Sequence, residues 1–238
     1  MTEDTGVWTY AITEDGHLSG PDGEVDLSWL TGVGETKVRT AASCGLTVLV
    51  SDVSLAEFGE AALRENLEDP HWLDEVAREH HYVIDAAARM FPLLPVRLAT
   101  VYSGDAALCS ALADHNAELL DSLRRVGGRV EWGVKAYAAA EPAAAASAAQ
   151  AIHADLAVRA ADTRLHPPQP ARRSGVRQPM LLNAAYLLEG ADGVPFTAAV
   201  AGQATAHPEL RIELSGPWPP YSFAGDDAGD GTAQDLAT

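Results

Sequence analysis

Positive charge is scarce in this sequence of 238 residues, and the shortage excludes two classes of partner. Lys and Arg number 16 against 34 Asp and Glu, which gives a formal net charge of −18. A nucleic-acid-binding protein needs cations that displace counterions from phosphates, and an anionic membrane surface attracts basic segments. We therefore expect neither a nucleic acid nor a membrane among the partners of this protein.

The sequence also has little cysteine and no long apolar run. The two cysteines, Cys44 and Cys109, are too few for a disulfide framework and too far apart in the chain for a zinc-binding pair. No apolar run approaches the length of a membrane span, and the acidic first residues lack the apolar stretch of a signal peptide. These absences predict a soluble, cytoplasmic protein.

Hydrophobic residues nevertheless make up 47% of the chain, which is enough to build a core. Segments rich in β-branched residues predict strands at 37–43 and 45–50, joined by a tight hairpin at Cys44–Gly45. Helical character follows from residue 55 to about residue 90 and is interrupted at Asp69–Pro70. The first part of the chain therefore reads as an α+β domain.

From Phe91 onward the predicted order is strand, helix, strand, helical region, strand, helix and strand. Without the helical region, this is the split βαβ pattern of a ferredoxin-like domain. The helical region is rich in alanine, which favours helix but gives it little to bury, so we interpret it as an insertion. We predict an α+β protein of two domains, the second a modified ferredoxin-like (split βαβ) domain with an inserted helical extension. The predicted boundaries are 1–90 for the N-terminal domain, 91–215 for the ferredoxin-like domain, about 138–178 for its insertion, 216–224 for a packing segment and 225–238 for a disordered acidic tail.

Histidine supplies the most obvious candidate for a metal site, the adjacent pair His80–His81. Adjacent helical residues point about 100° apart, so the two imidazoles cannot readily bind one ion. His80 falls on the apolar face of its helix, where a hydrogen-bonded core histidine is the usual outcome. Cys44 has no base that the sequence places beside it, and we expect a small buried thiol. Since no phosphate loop, dinucleotide fingerprint or nucleophile elbow occurs, we predict no catalytic residue, no cofactor and no metal.

Two charged residues lie within apolar segments that are predicted to be strands. Arg97 belongs to the strand predicted over 91–102, and Glu131 belongs to the alternating segment 129–137. Charged groups in such positions must be exposed or paired. We predict a structural ion pair between Arg97 and Glu131 if these strands are neighbours.

Large aromatic side chains follow the last predicted strand, in the segment GPWPPYSF. Trp218, Tyr221 and Phe223 surround Pro219 and Pro220, which hold the chain extended and deny it hydrogen-bond donors. Such a segment must pack against something. One interpretation is that it fastens the C-terminus onto the two domains, and the other is that it forms part of a groove or plug for a partner.

Six segments resemble the gas vesicle accessory proteins of the GvpF/GvpL type, and they occur in that family's order. The resemblance implies two α+β domains, the second a modified ferredoxin-like fold with a helical extension. It also implies a role in gas vesicle assembly, with the small hydrophobic shell protein and other accessory proteins as partners. The segments are LVSDVSLAEFGEAAL (Leu49–Leu63), DPHWLDEVAREHHYVIDAA (Asp69–Ala87), LLPVRLATVY (Leu93–Tyr102), GRVEWGVKAY (Gly128–Tyr137), AAYLL (Ala184–Leu188) and LRIELSGPWPPYSFA (Leu210–Ala224).

Two classes of function remain open at the level of the sequence. In the first, the chain is a non-enzymatic assembly factor, associated with gas vesicles, that nucleates or chaperones shell growth. A strongly acidic binder would cover apolar subunit surface and repel its own copies. In the second, the chain is a ferredoxin-like enzyme or small-ligand-binding protein, which requires a deep cavity with converging polar groups.

Overall fold

The chain divides into two compact units, each of which combines α-helices with antiparallel sheet. Of the residues that the structure describes, those up to 127 form one unit together with 224 and 225, and those from 128 to 223 form the other. The predicted mixture of helix and sheet is therefore confirmed. The computed structural model describes residues 5–20, 23–139, 142–169 and 176–225, so nearly all of the tail predicted for 225–238 lies outside the described residues. No helix in these ranges is long and apolar enough to cross a membrane.

The first unit contains an antiparallel sheet, a small hairpin and several helices. In chain order its elements are β1 (Thr5–Glu14), β2 (Ser19–Gly20), β3 (Gly23–Glu24), β4 (Val38–Ser43), β5 (Leu46–Ser54), α1 (Leu55–Phe58), α2 (Glu60–Asn66), α3 (Pro70–Ala88), β6 (Leu94–Pro95), β7 (Val101–Tyr102), α4 (Asp105–Asp114) and α5 (Asn116–Val126). The sheet order is β4–β5–β1–β6, and β7 also pairs with β1. Because β1 has neighbours on both sides, almost all of it is buried at the centre of the core.

The tight hairpin predicted at Cys44–Gly45 is confirmed between β4 and β5. Cys44 has a φ of 55° and Gly45 a φ of 80°, and a two-residue type I′ turn needs positive φ at both positions. The expectation of a buried thiol is wrong, because Cys44 is exposed at the tip of this turn.

The helix predicted after Asp69 is also confirmed, as α3. It begins at Pro70, and the Asp69 carboxylate caps it by accepting a hydrogen bond of 2.9 Å from the His71 amide. The face that helical spacing predicts is the one that packs inward. Its buried members are Val76, His80, Val83, Ile84 and Ala87.

The single strand predicted over 91–102 is wrong, and so is the domain boundary at residue 90. Only β6 and β7 of this segment pair, and both pair with β1 in the first sheet. Pro92 and Pro95 have no amide hydrogen to donate to a ladder, and Ala99 interrupts the extended chain with a φ of 64°. The segment therefore belongs to the first unit, which extends to Gly127.

The second unit is a four-stranded antiparallel sheet with two helices packed on one face. In chain order its elements are β8 (Arg129–Ala138), α6 (Pro142–Ala157), β9 (Asp162–Leu165), β10 (Met180–Glu189), α7 (Gly193–Ala206) and β11 (Leu210–Trp218). The sheet order is β11–β8–β10–β9. Its core lies between the sheet and the helices, where Tyr186 and Phe196 are among the largest fully buried side chains.

The alanine-rich region is not an insertion, contrary to the prediction for 138–178. The helix α6 belongs to the core of the second unit, and the same region continues into the edge strand β9. Small side chains let a helix approach a sheet closely, so alanine contributes to dense packing here. The residues of α6 that are buried in this core are Ala145, Ala148, Ala149, Ile152 and Leu156.

Candidate functional site

The C-terminal segment, residues 216–223, was singled out by its sequence, and the structure divides it into buried and exposed parts. Pro219 and Pro220 are buried, and Phe223 is fully buried. Tyr221 is half-buried, whereas 46% of the Trp218 surface is exposed. The segment therefore packs through its prolines and Phe223 and presents Trp218 to solvent.

A short turn brings Ser222 of this segment onto strand β8. The strand β11 ends at Trp218, opposite Glu131, because the two prolines that follow cannot donate ladder hydrogen bonds. The chain then turns through residues 221–223. Ser222 donates two hydrogen bonds to the Glu131 carboxylate, from its amide to Oε2 and from its hydroxyl to Oε1, each 2.7 Å long.

His166 completes the group that we call the C-terminal clasp, which consists of Glu131, His166 and Ser222. The His166 Nε2 lies 3.1 Å from the Ser222 hydroxyl oxygen. Because the serine proton is donated to Glu131, this oxygen accepts, and Nε2 is the protonated nitrogen. Next to the clasp, the guanidinium carbon of Arg164 lies 6.0 Å from the centre of the Phe223 ring, within the range of a cation–π contact.

The clasp holds a carboxylate that is costly to bury. Burial raises the pKa of the Glu131 carboxyl, because the ionised form loses contact with water. The hydrogen bonds from Ser222, and then the nearby His166 and Arg164, lower that pKa and so oppose the effect of burial. The stability of the C-terminal segment and the ionisation of Glu131 are therefore linked.

The clasp contains the residue types of a hydrolase triad but not the connections of one. In a triad the carboxylate orients the histidine, and the histidine accepts the serine proton. Here Glu131 accepts the serine proton directly, and His166 donates to the serine oxygen. These contacts fasten the segment to the second unit and do not activate a nucleophile.

The condition for the predicted ion pair between Arg97 and Glu131 is not met. Arg97 follows β6 of the first sheet, whereas Glu131 lies in β8 of the second, so the two residues are not on neighbouring strands. The apolar surroundings of Glu131 do call for a partner, as the sequence indicated. That partner is Ser222.

Gly216 allows the C-terminal segment to lie directly against β8. Its φ is 121°, and a Cβ at this position would lie 2.8 Å from the Glu131 carbonyl oxygen and 3.3 Å from the Trp132 ring. Only glycine adopts this conformation without strain and leaves room for both neighbours. The glycine of the GPW sequence at 216–218 thus has a steric reason.

The core histidine predicted at His80 is confirmed in the first unit. His80 is fully buried; its Nδ1 accepts a hydrogen bond of 3.0 Å from the Trp8 indole, and its Nε2 lies 3.1 Å from the Val96 carbonyl oxygen. Burial is the main cause that lowers the pKa of His80 to about 4. In the part of the chain that the structure describes, no three His, Cys, Asp or Glu side chains are grouped so that they could hold a metal ion.

Sequence reasoning missed Ser222 and His166. Ser222 is 91 residues from Glu131, and His166 precedes Pro167 and Pro168 in a segment whose composition indicates a loop. One signal was available, since a carboxylate on an apolar strand requires a hydrogen-bond donor and the turn after the prolines offers a hydroxyl.

A family model described as "Gas vesicle synthesis protein GvpL/GvpF" matches residues 6–147 and 142–225. The chain belongs to this family. It is 36% identical over 262 aligned residues to gas vesicle protein L from Streptomyces sp. (strain CB03234), with 94% of this chain and 95% of that protein covered. It is 24% identical to gas vesicle protein F2 from Halobacterium salinarum, with 91% of each chain covered.

Solved structures of this family share the fold. The crystal structure of gas vesicle protein GvpF from Anabaena sp. PCC7120 matches with a TM-score of 0.71 at 20% identity, and the match covers 93% of this chain and 96% of that one. GvpF from Microcystis aeruginosa matches with a TM-score of 0.66 at 19% identity, covering 92% and 99%. The resemblance noted in the sequence is thus confirmed, and the relatives carry the names of gas vesicle proteins, not of enzymes.

Proposed function

We propose that this chain is a non-enzymatic gas vesicle assembly factor that acts in the cytoplasm. It binds the small hydrophobic shell protein, other accessory proteins, or both, and it nucleates or chaperones shell growth. The family match, which extends along both units, is the observation that carries the proposal. We also propose that the second unit is a ferredoxin-like domain, because its elements follow the order β, α, β, β, α, β.

The charge and the C-terminal segment support a binding role in different ways. A net charge of −18 makes copies of the chain repel one another, so a complex with an apolar subunit would stay dispersed. Tryptophan is enriched among the side chains that dominate binding energy at interfaces. Trp218 is exposed, and the clasp fixes the chain that carries it, so it is our candidate contact for a partner.

A titration of the purified protein against its cognate shell protein, kept dilute in mild detergent, tests this proposal. We expect saturable complex formation and a weaker complex with Trp218→Ala. The matched control is Trp29→Ala, since Trp29 is a comparably exposed tryptophan in the first unit. No complex between the shell protein and a well-folded chain would contradict direct shell binding, and equal losses in the two variants would contradict the role of Trp218.

The other hypothesis, a small-ligand-binding protein or an enzyme, gains no support from the described residues. An open groove of about 280 Å³ in the first unit is lined mainly by apolar side chains, and its charged member Arg39 already binds two carboxylates. The clasp, for its part, has the connections of a structural group. We therefore retain the assembly role as the conclusion.

A further inference from the structure

Sheet edges invite a strand from another chain, and proteins usually guard them with short strands, proline, lysine or bulges. In the described ranges, the two larger sheets have four edges, and three of these are guarded. The strands β6 and β7 have two residues each, β11 contains Pro217 and a shift of register, and the outward amide of Thr163 in β9 donates to the Asp162 carboxylate at 2.7 Å. The edge strand β4 contains neither proline nor lysine and pairs with β5 without a shift of register.

The free hydrogen-bonding groups of β4 follow from its hairpin. A two-residue turn makes Ser43 and Leu46 a hydrogen-bonded pair, and such pairs alternate along an antiparallel ladder. The backbone groups of Thr40 and Ala42 therefore point away from β5. The amide of Val38 also points away from β5, since it donates a hydrogen bond of 3.4 Å to the Leu30 carbonyl oxygen. Within the described residues, no other strand pairs with Thr40 or Ala42, and both are exposed.

An apolar groove adjoins this free edge. It is lined by Leu18, Val25 and Leu27 together with Arg39 and Thr40 of the strand itself. Successive side chains of an added strand would point to opposite faces of the sheet. Every second side chain would thus lie on the groove side, where apolar groups are favoured.

The surroundings of β4 favour a basic partner. The Arg39 guanidinium binds two carboxylates, with Nη2 2.6 Å from Asp52 Oδ1 and 2.7 Å from Asp105 Oδ1. Lys37 precedes the strand, and Asp26 lies between two groove residues, its pKa lowered by hydrogen bonds from a neighbouring serine. These two cations and three carboxylates give a formal charge of −1 in a chain that is strongly acidic overall.

We propose that the free edge of β4 binds an extended segment of another protein in which apolar and basic side chains alternate. The backbone of that segment pairs with Thr40 and Ala42, its apolar side chains pack on Leu18, Val25 and Leu27, and its basic side chains lie on the opposite face of the strand, near the carboxylates of Asp52 and Asp105. This site deepens the proposed function by naming a docking surface. Its test uses a synthetic probe and does not depend on that function.

The probe is a short capped peptide of alternating valine and lysine, titrated into the full chain, with a valine–glutamate peptide as its control. We expect saturable binding that slows hydrogen exchange of the Thr40 and Ala42 amides, and weaker binding of the acidic peptide. Thr40→Pro removes an outward amide that an edge strand can spare, and we expect about two- to tenfold weaker binding. Thr40→Lys adds repulsion and weakens binding about two- to fivefold. The matched control, Thr163→Lys, adds the same charge to β9 and leaves binding unchanged.

Several results would overturn the site. These are equal binding of the two peptides, protection away from β4, equal effects of Thr40→Lys and Thr163→Lys, or a dimer of the chain itself that Thr40→Pro dissociates. The proposed function is tested separately, with the shell protein. Binding of the peptide at β4 without binding of the shell protein would support the docking site and contradict direct shell binding. Binding of the shell protein without binding of the peptide would support direct shell binding and contradict the docking site.

Discussion

Acidification from pH 7 to pH 5 is expected to weaken the first unit through one buried residue, His80. Its imidazole is neutral in the fold, because it accepts from Trp8 at Nδ1 and faces the Val96 carbonyl with Nε2. In the unfolded chain the same histidine titrates near its ordinary pKa of 6.5. As the pH falls, His80 is therefore protonated near pH 6.5 in the unfolded state but only near pH 4 in the folded state.

The sign and size of the effect follow from this difference. A histidine with a lowered folded pKa contributes stability above its unfolded pKa, and that stability is lost as the pH falls from 6.5 toward about 4. At 1.36 kcal/mol per pH unit, the complete loss is about 3 kcal/mol. Between pH 7 and pH 5 we expect about 2 kcal/mol of it.

The comparison of His80→Gln with His81→Gln isolates this contribution. Glutamine can accept from Trp8 and donate to Val96 but does not titrate, whereas His81 is the exposed neighbour in the same helix. Urea unfolding at both pH values is expected to show wild type and His81→Gln losing about 2 kcal/mol more than His80→Gln. Equal losses in all three proteins would refute the argument, as would an NMR titration in which the folded His80 imidazole protonates near pH 6.5.

Three further predictions concern the C-terminal segment and its clasp. Ser222→Ala removes the hydroxyl donor from the half-buried Glu131 carboxylate, and we expect urea unfolding to show a loss of about 1–3 kcal/mol, with a smaller loss for Ser222→Thr. Equal losses in the two variants would show that the hydroxyl is not the cause. Burial raises the folded pKa of Glu131, so the wild type loses stability as the pH rises through that pKa. We therefore expect the stability of the wild type relative to Glu131→Gln to fall between pH 4 and pH 7. A constant difference between the two proteins would contradict the burial argument. Gly216→Ala places a Cβ 2.8 Å from the Glu131 carbonyl oxygen, and we expect it to lower the free energy of unfolding by about 1–3 kcal/mol. Gly190→Ala is the control, because a Cβ there has nothing within 4 Å. Equal stability of the two variants would contradict the steric argument.

Local chemistry made part of this fold predictable from the sequence. The hairpin at Cys44–Gly45 and the start of α3 at Asp69–Pro70 depend on residues that are adjacent in the chain, namely a turn that tolerates positive φ and a capping carboxylate. The buried face of α3 followed from helical spacing alone. The exposure of Cys44 was missed, because the expectation of a buried thiol followed the usual burial of cysteine and not the position of Cys44 in the turn.

The errors arose where long-range pairing decides the structure. The segment 91–102 has an apolar composition that suits a strand, yet its two pieces join the sheet of the first unit because β1 offers its free side there. The alanine-rich helix α6 looked dispensable because alanine buries little area, although dense packing against a sheet favours small side chains. Residues 170–175 of the predicted insertion lie outside the described residues.

The candidate site shows the same limit. The sequence indicated that Glu131 needs a partner and that the segment around Trp218 must pack. In the structure Glu131 has a hydrogen-bond partner, and Pro219, Pro220 and Phe223 of that segment are buried. The partner itself is set by the turn that follows Pro219 and Pro220, which returns Ser222 to a strand 91 residues away. No pattern along the chain encodes that return.

The most direct test of the central claim is light scattering by the cognate shell protein as it is diluted out of detergent, at increasing molar ratios of this protein. An assembly factor that binds apolar subunits is expected to change the scattering in a saturable way, either suppressing aggregation or replacing it with ordered growth. The Trp218→Ala variant is expected to need a higher ratio for the same effect than wild type or Trp29→Ala. Scattering that is the same with and without the folded protein would contradict a direct role in handling the shell protein.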